Sequence, residues 1–417
     1  MGKFIINGGK SLYGSVKIER SKNAVLPMLA GALLTEEQVF IEDCPKIADV
    51  ISMTKILNAL GVKTTFCRDG LLVDSSSLNS YTLPSDLSKE LRSSIFLMGA
   101  LISRTKKTVV ALPGGCNIGL RPIDIHLTSL SKMGVEFTCL EEGFFCYAEK
   151  LNCASINFPY PSVGATENVI MASVLCDGIT TINGVAKEPE IVDFINFLNS
   201  MGAKIYGGGS DTIIIHGVKK LHGTSYKPMY DRIEAGTYLF AGLIAGCKME
   251  IIGVDYKNIL AFKNKFLNST CKIVGSNDII NINSGEERFA FSVVTGPYPQ
   301  FPTDLQPQAL AYLTVANGVS TVKETVFENR FKHAIELNKM GANIKVENNT
   351  AFINGVSSLK GAKVKASDLR AGAALVLAGL KAEGKTEVLD IFHIERGYLN
   401  MEVKLKNLGV DIKKVEK

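Results

Sequence analysis

The chain repeats itself, and the repeat limits what it can fold into more than any single motif does. One octet template returns as LNALGVKT from Leu57, LSKMGVEF from Leu130, LNSMGAKI from Leu198, LNKMGANI from Leu337 and LKNLGVDI from Leu405. The glycines, Gly61, Gly134, Gly202, Gly341 and Gly409, lie 73, 68, 139 and 68 residues apart. The gap of 139 spans two units and contains a degenerate copy, FLNSTCKI from Phe266. Recurrence of this kind marks a repeated supersecondary unit. In each copy an apolar-spaced helix ends on glycine, its usual C-terminal stop, and an extended run follows.

A more apolar segment precedes each octet. The six read NAVLPMLAGALL from Asn23, LRSSIFLMGALIS from Leu91, GATENVIMASVLC from Gly164, EAGTYLFAGLIAG from Glu234, LQPQALAYLTVAN from Leu305 and LRAGAALVLAGLKAEG from Leu369. Apolar on nearly every side, they predict buried helices. Each leads into a β-rich run such as GITTING or GKTEVLD. The unit is therefore buried helix, strand, surface helix, strand, and six units divide as three and three. The fold class is α/β, in two domains. INGGKSLYGSVKI at the N-terminus resembles INGVSSLKGAKVKA at 353–366, which places the first strand beside the last unit. One domain is expected at 22–229 and the other at 1–21 plus 230–417, with two crossings as a hinge for a cleft that closes on substrate.

Composition excludes several classes. With 46% hydrophobic and 21% charged residues over 417 positions, the chain is globular rather than disordered. A net charge of +5, from 46 basic and 41 acidic residues, is dispersed. It argues against nucleic acid and suits a small anionic substrate. The longest apolar stretch, Ala371 to Leu380, is about half of what a bilayer requires. The opening MGKFIINGG lacks a signal peptide's apolar core, and Ile6 stands where a myristoylation signal has Ser or Thr. Nine cysteines without tight pairs fit a reducing cytoplasm, the expected location. Cys139, Cys146 and Cys153 recur every seven residues with no CxxC or nearby His, a packing pattern rather than a metal site. No obligate protein partner is evident. GGKS at 8–11 lacks the first glycine of a P-loop, since position 4 is Phe, and Gly207-Gly208-Gly209 reads as a turn.

Chemistry gathers where the buried helices begin. Their openings carry Lys22-Asn23, Arg92, Ser162, Asp231-Arg232-Glu234, Thr303-Asp304, and Asp368 with Arg370. Capping accounts for Ser162, Thr303 and Asp368. It does not account for Lys22, Arg92 or Arg370, because a cation at a helix start opposes the dipole. That mismatch points to a shared anion-binding site. A second concentration is PGGCNIGLRP at 113–122, between a β-rich run (108–112) and a helical one (123–133). Its glycines leave the Cys116 thiol accessible, and Arg121, five residues on, lowers a thiol pKa or grips a phosphate or carboxylate with two parallel hydrogen bonds. His126, two residues after Asp124, either lines this site or is structural. A cysteine–histidine hydrolase finds no second motif in its support.

Nine motifs in order carry a resemblance: SKNA around Lys22, LRSSI around Arg92, PGGCNIGLRPIDIH at 113–126, SVGAT at 162–166, DRIEAGT at 231–237, FPTDLQ at 301–306, TVFENRF at 325–331, SDLRAG at 367–372 and HIERGY at 393–398. From Phe4 to Lys413 the chain resembles the UDP-N-acetylglucosamine enolpyruvyl transferases, the 1-carboxyvinyltransferases of the first committed step of peptidoglycan synthesis. The resemblance implies two inside-out α/β domains, each of three repeats with buried helices inside sheets. It implies transfer of the enolpyruvyl group of phosphoenolpyruvate to the sugar 3-hydroxyl, through a tetrahedral phosphate ketal, with release of phosphate. No metal and no organic cofactor are implied.

Matched residue by residue, the resemblance makes Asp304 the base toward the sugar hydroxyl. Cys116 becomes the proton donor to the alkene carbon and the target of the epoxide phosphonate fosfomycin. Lys22, Arg121 and Arg396 match the phosphate side of phosphoenolpyruvate and Arg330 and Arg370 its carboxylate side, with Asn23, Arg92 and Asp368 beside them. Lys22 and Arg396 count with Cys116 and Asp304 as catalytic. For the nucleotide sugar the matching positions are Asn23, Arg92, Arg121, Pro122, Ile123, Asp124, Ile125, Ser162, Val163, Gly164, Asp304 and Val326. The chain departs from the pattern at Glu19-Arg20, at Phe96, where many members have Trp, and at Tyr160, where some have a diphosphate-binding Lys. These departures bear on nucleotide affinity. The related 5-enolpyruvylshikimate-3-phosphate synthases do not share the Cys116 loop. A non-catalytic paralogue would have lost Cys116, Asp304 or the basic cluster, and all are present.

Overall fold

A computed structural model describes residues 2–111, 123–259, 271–276, 278–285 and 287–416. They form two compact units. The first runs from Arg20 to Met229; the second combines the described residues up to Glu19 with those from Tyr230 onward.

Each unit is built on three buried helices. In the first these are α1 (Lys22–Gly31), α2 (Leu97–Thr105) and α3 (Val163–Ser173). In the second they are α4 (Arg232–Ala245), α5 (Gln306–Leu313) and α6 (Leu369–Lys381). Every residue of α4 is buried, as its unbroken apolar and small-residue run requires. Within the first unit α2 packs on α1 and α3; within the second the three helices pack on one another.

The four-stranded sheets around them share one order. In the sheet Thr224–Tyr226, Val39–Glu42, Gly70–Asp74, Lys63–Phe66, the first pair is parallel and the others antiparallel. The sheet Ser155–Asn157, Ile179–Asn183, Thr212–His216, Lys204–Tyr206 repeats this arrangement. So does the last sheet, with one substitution. Its third strand is Lys3–Asn7, antiparallel to both Lys385–Leu389 and Asp411–Val415, with Lys3 opposite Leu389 and Val415. The N-terminus thus supplies the strand that the final repeat lacks. Strand residues alternate, so that in Thr212–His216 Ile213 and Ile215 turn inward. Burying each such side chain contributes about 1.5–3 kcal/mol.

All five clear repeat glycines have positive φ: Gly61 90°, Gly134 91°, Gly202 96°, Gly341 89° and Gly409 93°. A side chain there would meet the left-handed steric penalty, which explains why the octet template keeps glycine at that point. Residues 266–270 of the degenerate copy and the loop 112–122 lie outside the described residues. Two helix starts differ from expectation. Arg92–Phe96 and Thr303–Leu305 are tighter 3-10 turns that precede α2 and α5. Short turns of this kind satisfy terminal amides, and Pro307, near the start of α5, has no amide to satisfy.

Candidate functional site

In the first unit Lys22 and Asn23 open α1. The Lys22 ammonium lies 2.6 Å from Asp49 Oδ2, with the side chains only 13% and 5% exposed. Asp49 sits in the first turn of the helix Ala48–Ala59, where its charge also suits the dipole. Ser162 caps α3, its hydroxyl accepting from the Ala165 amide at 3.3 Å, and Val163 and Gly164 follow, half-buried. Asp124 is the exposed first residue of the helix Asp124–Lys132, flanked by half-buried Ile123 and Ile125. Within the same first turn His126 is buried. Burial, then the charge of Arg92, push its pKa down to about 4, against an opposing pull from Asp124. Gly164 lies against this ring: a Cβ there would come 3.1 Å from Phe96 Cε1 and 3.2 Å from His126 Cε1. Cys116, Arg121 and Pro122 lie outside the described residues.

In the second unit Asp304 is the centre of a denser network. Its carboxylate, 28% exposed, accepts from Arg330 at 2.8 Å through Oδ1 and from Arg370 at 3.1 Å through Oδ2. Both arginine side chains are buried, at 3% and 4% exposure. Arg330 also donates to the Thr303 hydroxyl at 2.9 Å, and Thr303 donates to Glu324 Oε2 at 2.8 Å. Glu324 Oε1 in turn accepts from the amides of Val326 and Phe327. Arg370 donates to the Tyr398 hydroxyl at 3.1 Å. Burial opposes the charge of Arg370, but Tyr398 and Asp304 hold its pKa above the ordinary value. Asp368 caps α6, accepting from the amides of Arg370 at 3.0 Å and Ala371 at 2.9 Å. Arg396 follows the short helix Phe392–Glu395, half-buried; burial, then Arg396, lower the pKa of His393.

Two guanidiniums converge on one carboxylate, with the Glu324 and Asp368 carboxylates beside them, so their planar donors are oriented toward the partly exposed Asp304. Two expectations need correction. Thr303 does not cap: its hydroxyl donates to Glu324 and accepts from Arg330, a charged donor that stands in place of a helix amide. Carboxylates of the protein meet two of the cations at helix starts, Asp49 at Lys22 and Asp304 at Arg370. The heptad-spaced cysteines Cys139, Cys146 and Cys153 do not all pack. Cys146 is buried, but Cys67 and Cys139 are exposed, at the edges of hairpins whose outer faces meet solvent. Asp49, Glu324 and Tyr398 were missed as site residues. Glu324 and Tyr398 adjoin or belong to quoted motifs and were within reach of the sequence; nothing local announces Asp49.

Residues 6–405 match the family of EPSP synthase (3-phosphoshikimate 1-carboxyvinyltransferase). A protein of Caldanaerobacter subterraneus subsp. tengcongensis, named UDP-N-acetylglucosamine 1-carboxyvinyltransferase 2, is 48% identical over 100% of both chains. Its namesake in Clostridium tetani is 45% identical over the same share of each. Among solved structures, the enolpyruvyl transferase NikO from Streptomyces tendae has a TM-score of 0.90 at 25% identity, covering 99% of each chain. EPSP synthase from Acinetobacter baumannii has a TM-score of 0.73 at 16% identity over 100% of each, a likeness of fold alone.

Proposed function

The chain belongs to the EPSP synthase family of enolpyruvyl transferases, and we infer from that premise that it is a UDP-N-acetylglucosamine 1-carboxyvinyltransferase of peptidoglycan synthesis. It transfers the enolpyruvyl group of phosphoenolpyruvate to the 3-hydroxyl of UDP-N-acetylglucosamine and releases phosphate. The observation that carries the mechanism is Asp304 held by Arg330 and Arg370.

A sugar hydroxyl is a poor nucleophile, and Asp304 takes its proton as the oxygen attacks C2 of phosphoenolpyruvate. The alkene carbon receives a proton from Cys116, which gives the tetrahedral ketal. Loss of that proton from the same carbon, with expulsion of phosphate, restores the double bond and completes the transfer. Lys22, Arg121 and Arg396 serve the phosphate side of phosphoenolpyruvate and Arg330 and Arg370 the carboxylate side, with Asn23, Arg92 and Asp368 beside them. The nucleotide sugar is taken by Asn23, Arg92, Arg121 to Ile125, Ser162 to Gly164, Asp304 and Val326. Buried guanidiniums already oriented by carboxylate, hydroxyl and tyrosine partners need little reorganisation as charge develops. Among the described residues no helix is long and apolar enough to cross a membrane. We place the enzyme in the cytoplasm, where both substrates are.

Phosphate release with phosphoenolpyruvate and each acceptor tests the reading. Release with UDP-N-acetylglucosamine and none with shikimate 3-phosphate is expected; the reverse overturns it.

A further inference from the structure

We propose that Asn168 is a positioning residue that fixes His126 in its Nε2–H tautomer, as a hydrogen-bond donor to an oxygen of the nucleotide-sugar acceptor. The proposal rests on the functional reading above.

Asn168 lies on α3 and is completely buried. The backbone amide of Gly99 donates to its Oδ1 at 2.7 Å. A backbone amide only donates, so this contact identifies the oxygen and leaves Nδ2 with two protons to place. One goes to the Ile95 carbonyl at 2.9 Å. The other goes to His126 Nδ1, also at 2.9 Å. Nδ1 must therefore present a lone pair, and the proton of the neutral ring sits on Nε2. That edge of the ring faces the first turn of α3. A Cβ on Gly164 would stand 3.2 Å from Cε1 and 3.5 Å from Nε2. Among the described residues no group is bonded to Nε2. Burial and the neighbouring Arg92 keep the ring neutral at working pH, so the donor is an uncharged N–H in a positive field. Such a pair suits an anionic or strongly polarised oxygen.

The second unit shows that the fold does not need the amide. His333 stands eight residues before Gly341, as His126 stands eight before Gly134, and it too is buried. Counting six residues from the caps Ser162 and Asp368, α6 offers Ala374 where α3 offers Asn168. His333 Nε2 has no hydrogen-bond partner among the described residues. Asn168 is thus an addition to the scaffold at the unit's polar helix start.

The test combines ¹⁵N NMR of the histidine rings with calorimetric titration of UDP-N-acetylglucosamine into the full chain. In the unaltered protein His126 should show a protonated Nε2 and an unprotonated Nδ1. In Asn168→Asp the carboxylate accepts from the ring, so Nδ1 should become protonated; a merely structural Asn168 would leave the ring signals unchanged. His126→Gln keeps an N–H near the Nε2 position and should bind the nucleotide sugar within about threefold of the unaltered protein. His126→Asn, which mimics only Nδ1, should weaken binding roughly tenfold, the worth of one hydrogen bond. A protonated Nδ1 in the unaltered protein, or undiminished affinity in His126→Asn, overturns the proposal. If Asn168→Asp does not fold, the unaltered protein's spectrum and the two His126 variants decide. Absence of any binding by the unaltered protein would sink the functional reading itself, which the ring spectrum does not address.

Discussion

At its helix starts the first unit sets a lysine against a carboxylate, Lys22 with Asp49, while the second sets two guanidiniums against one, Arg330 and Arg370 with Asp304. The same contrast holds for the histidines, His126 being hydrogen-bonded to Asn168 and His333 sealed against Phe331 with a bare Nε2. The helices and sheets that carry these groups follow a single plan. The scaffold is therefore indifferent to the charges at its helix starts, and chemistry has been written there independently in each unit. The balanced pair in the first stores a cation. The cluster in the second holds two buried guanidiniums on one partly exposed carboxylate.

The largest effect should come from breaking the cluster in the second unit. Asp304→Ala should keep the fold and lose at least roughly 10²-fold in turnover, the usual scale for a positioned acid–base group. Steady-state kinetics on folded protein would check this, and an unchanged turnover number would remove Asp304 from the mechanism.

Acid should sharpen the comparison of the histidines. Both have pKa values lowered from 6.5 to about 4, each first by burial; Arg92 and Arg330 reinforce the shift, and Asp124 and Asp368 oppose it. Between those values the unfolded chain takes up protons that the folded chain refuses. Stability should therefore rise with pH across this window and fall on acidification, by about 2 kcal/mol per histidine at pH 5. His333→Gln should flatten the slope of denaturant-measured stability against pH without touching nucleotide-sugar binding. A slope unchanged by this substitution would show that His333 takes its proton in the folded state.

Asp49→Asn should lower stability by about 1–2 kcal/mol at neutral pH, since it removes a carboxylate charge 2.6 Å from the nearly buried Lys22 ammonium. Chemical denaturation measures it, and no change would mean that the pair is incidental. The smallest effect is expected for Gly164→Ala. The added methyl would crowd Phe96 and His126 and should raise the KM for the nucleotide sugar roughly threefold to fivefold, with kcat little altered. An equal fall in kcat would place Gly164 in the chemistry rather than in binding.

Much of this was legible in the chain. The period, the glycine stops and the all-round apolar helices follow from local rules, because φ at a helix end and burial of an apolar cylinder depend on near neighbours. The polar helix starts stood out for the same reason. Thr303 was misread as a cap because its real partners, Glu324 and Arg330, lie 21 and 27 residues away. Likewise the exposure of Cys67 and Cys139 depends on which face of a hairpin the core covers.

From the residues alone came the six-fold unit, the buried helices, the placement of the N-terminal strand and the positions where charge collects. Tertiary structure decided which charges meet: Asp49 with Lys22 across two helices, Asp304 with two arginines 26 and 66 residues away, and Asn168 with His126 at a separation of 42. Coulomb attraction and hydrogen bonding act over a few ångströms of space, whatever the separation along the chain, and only packing sets that distance.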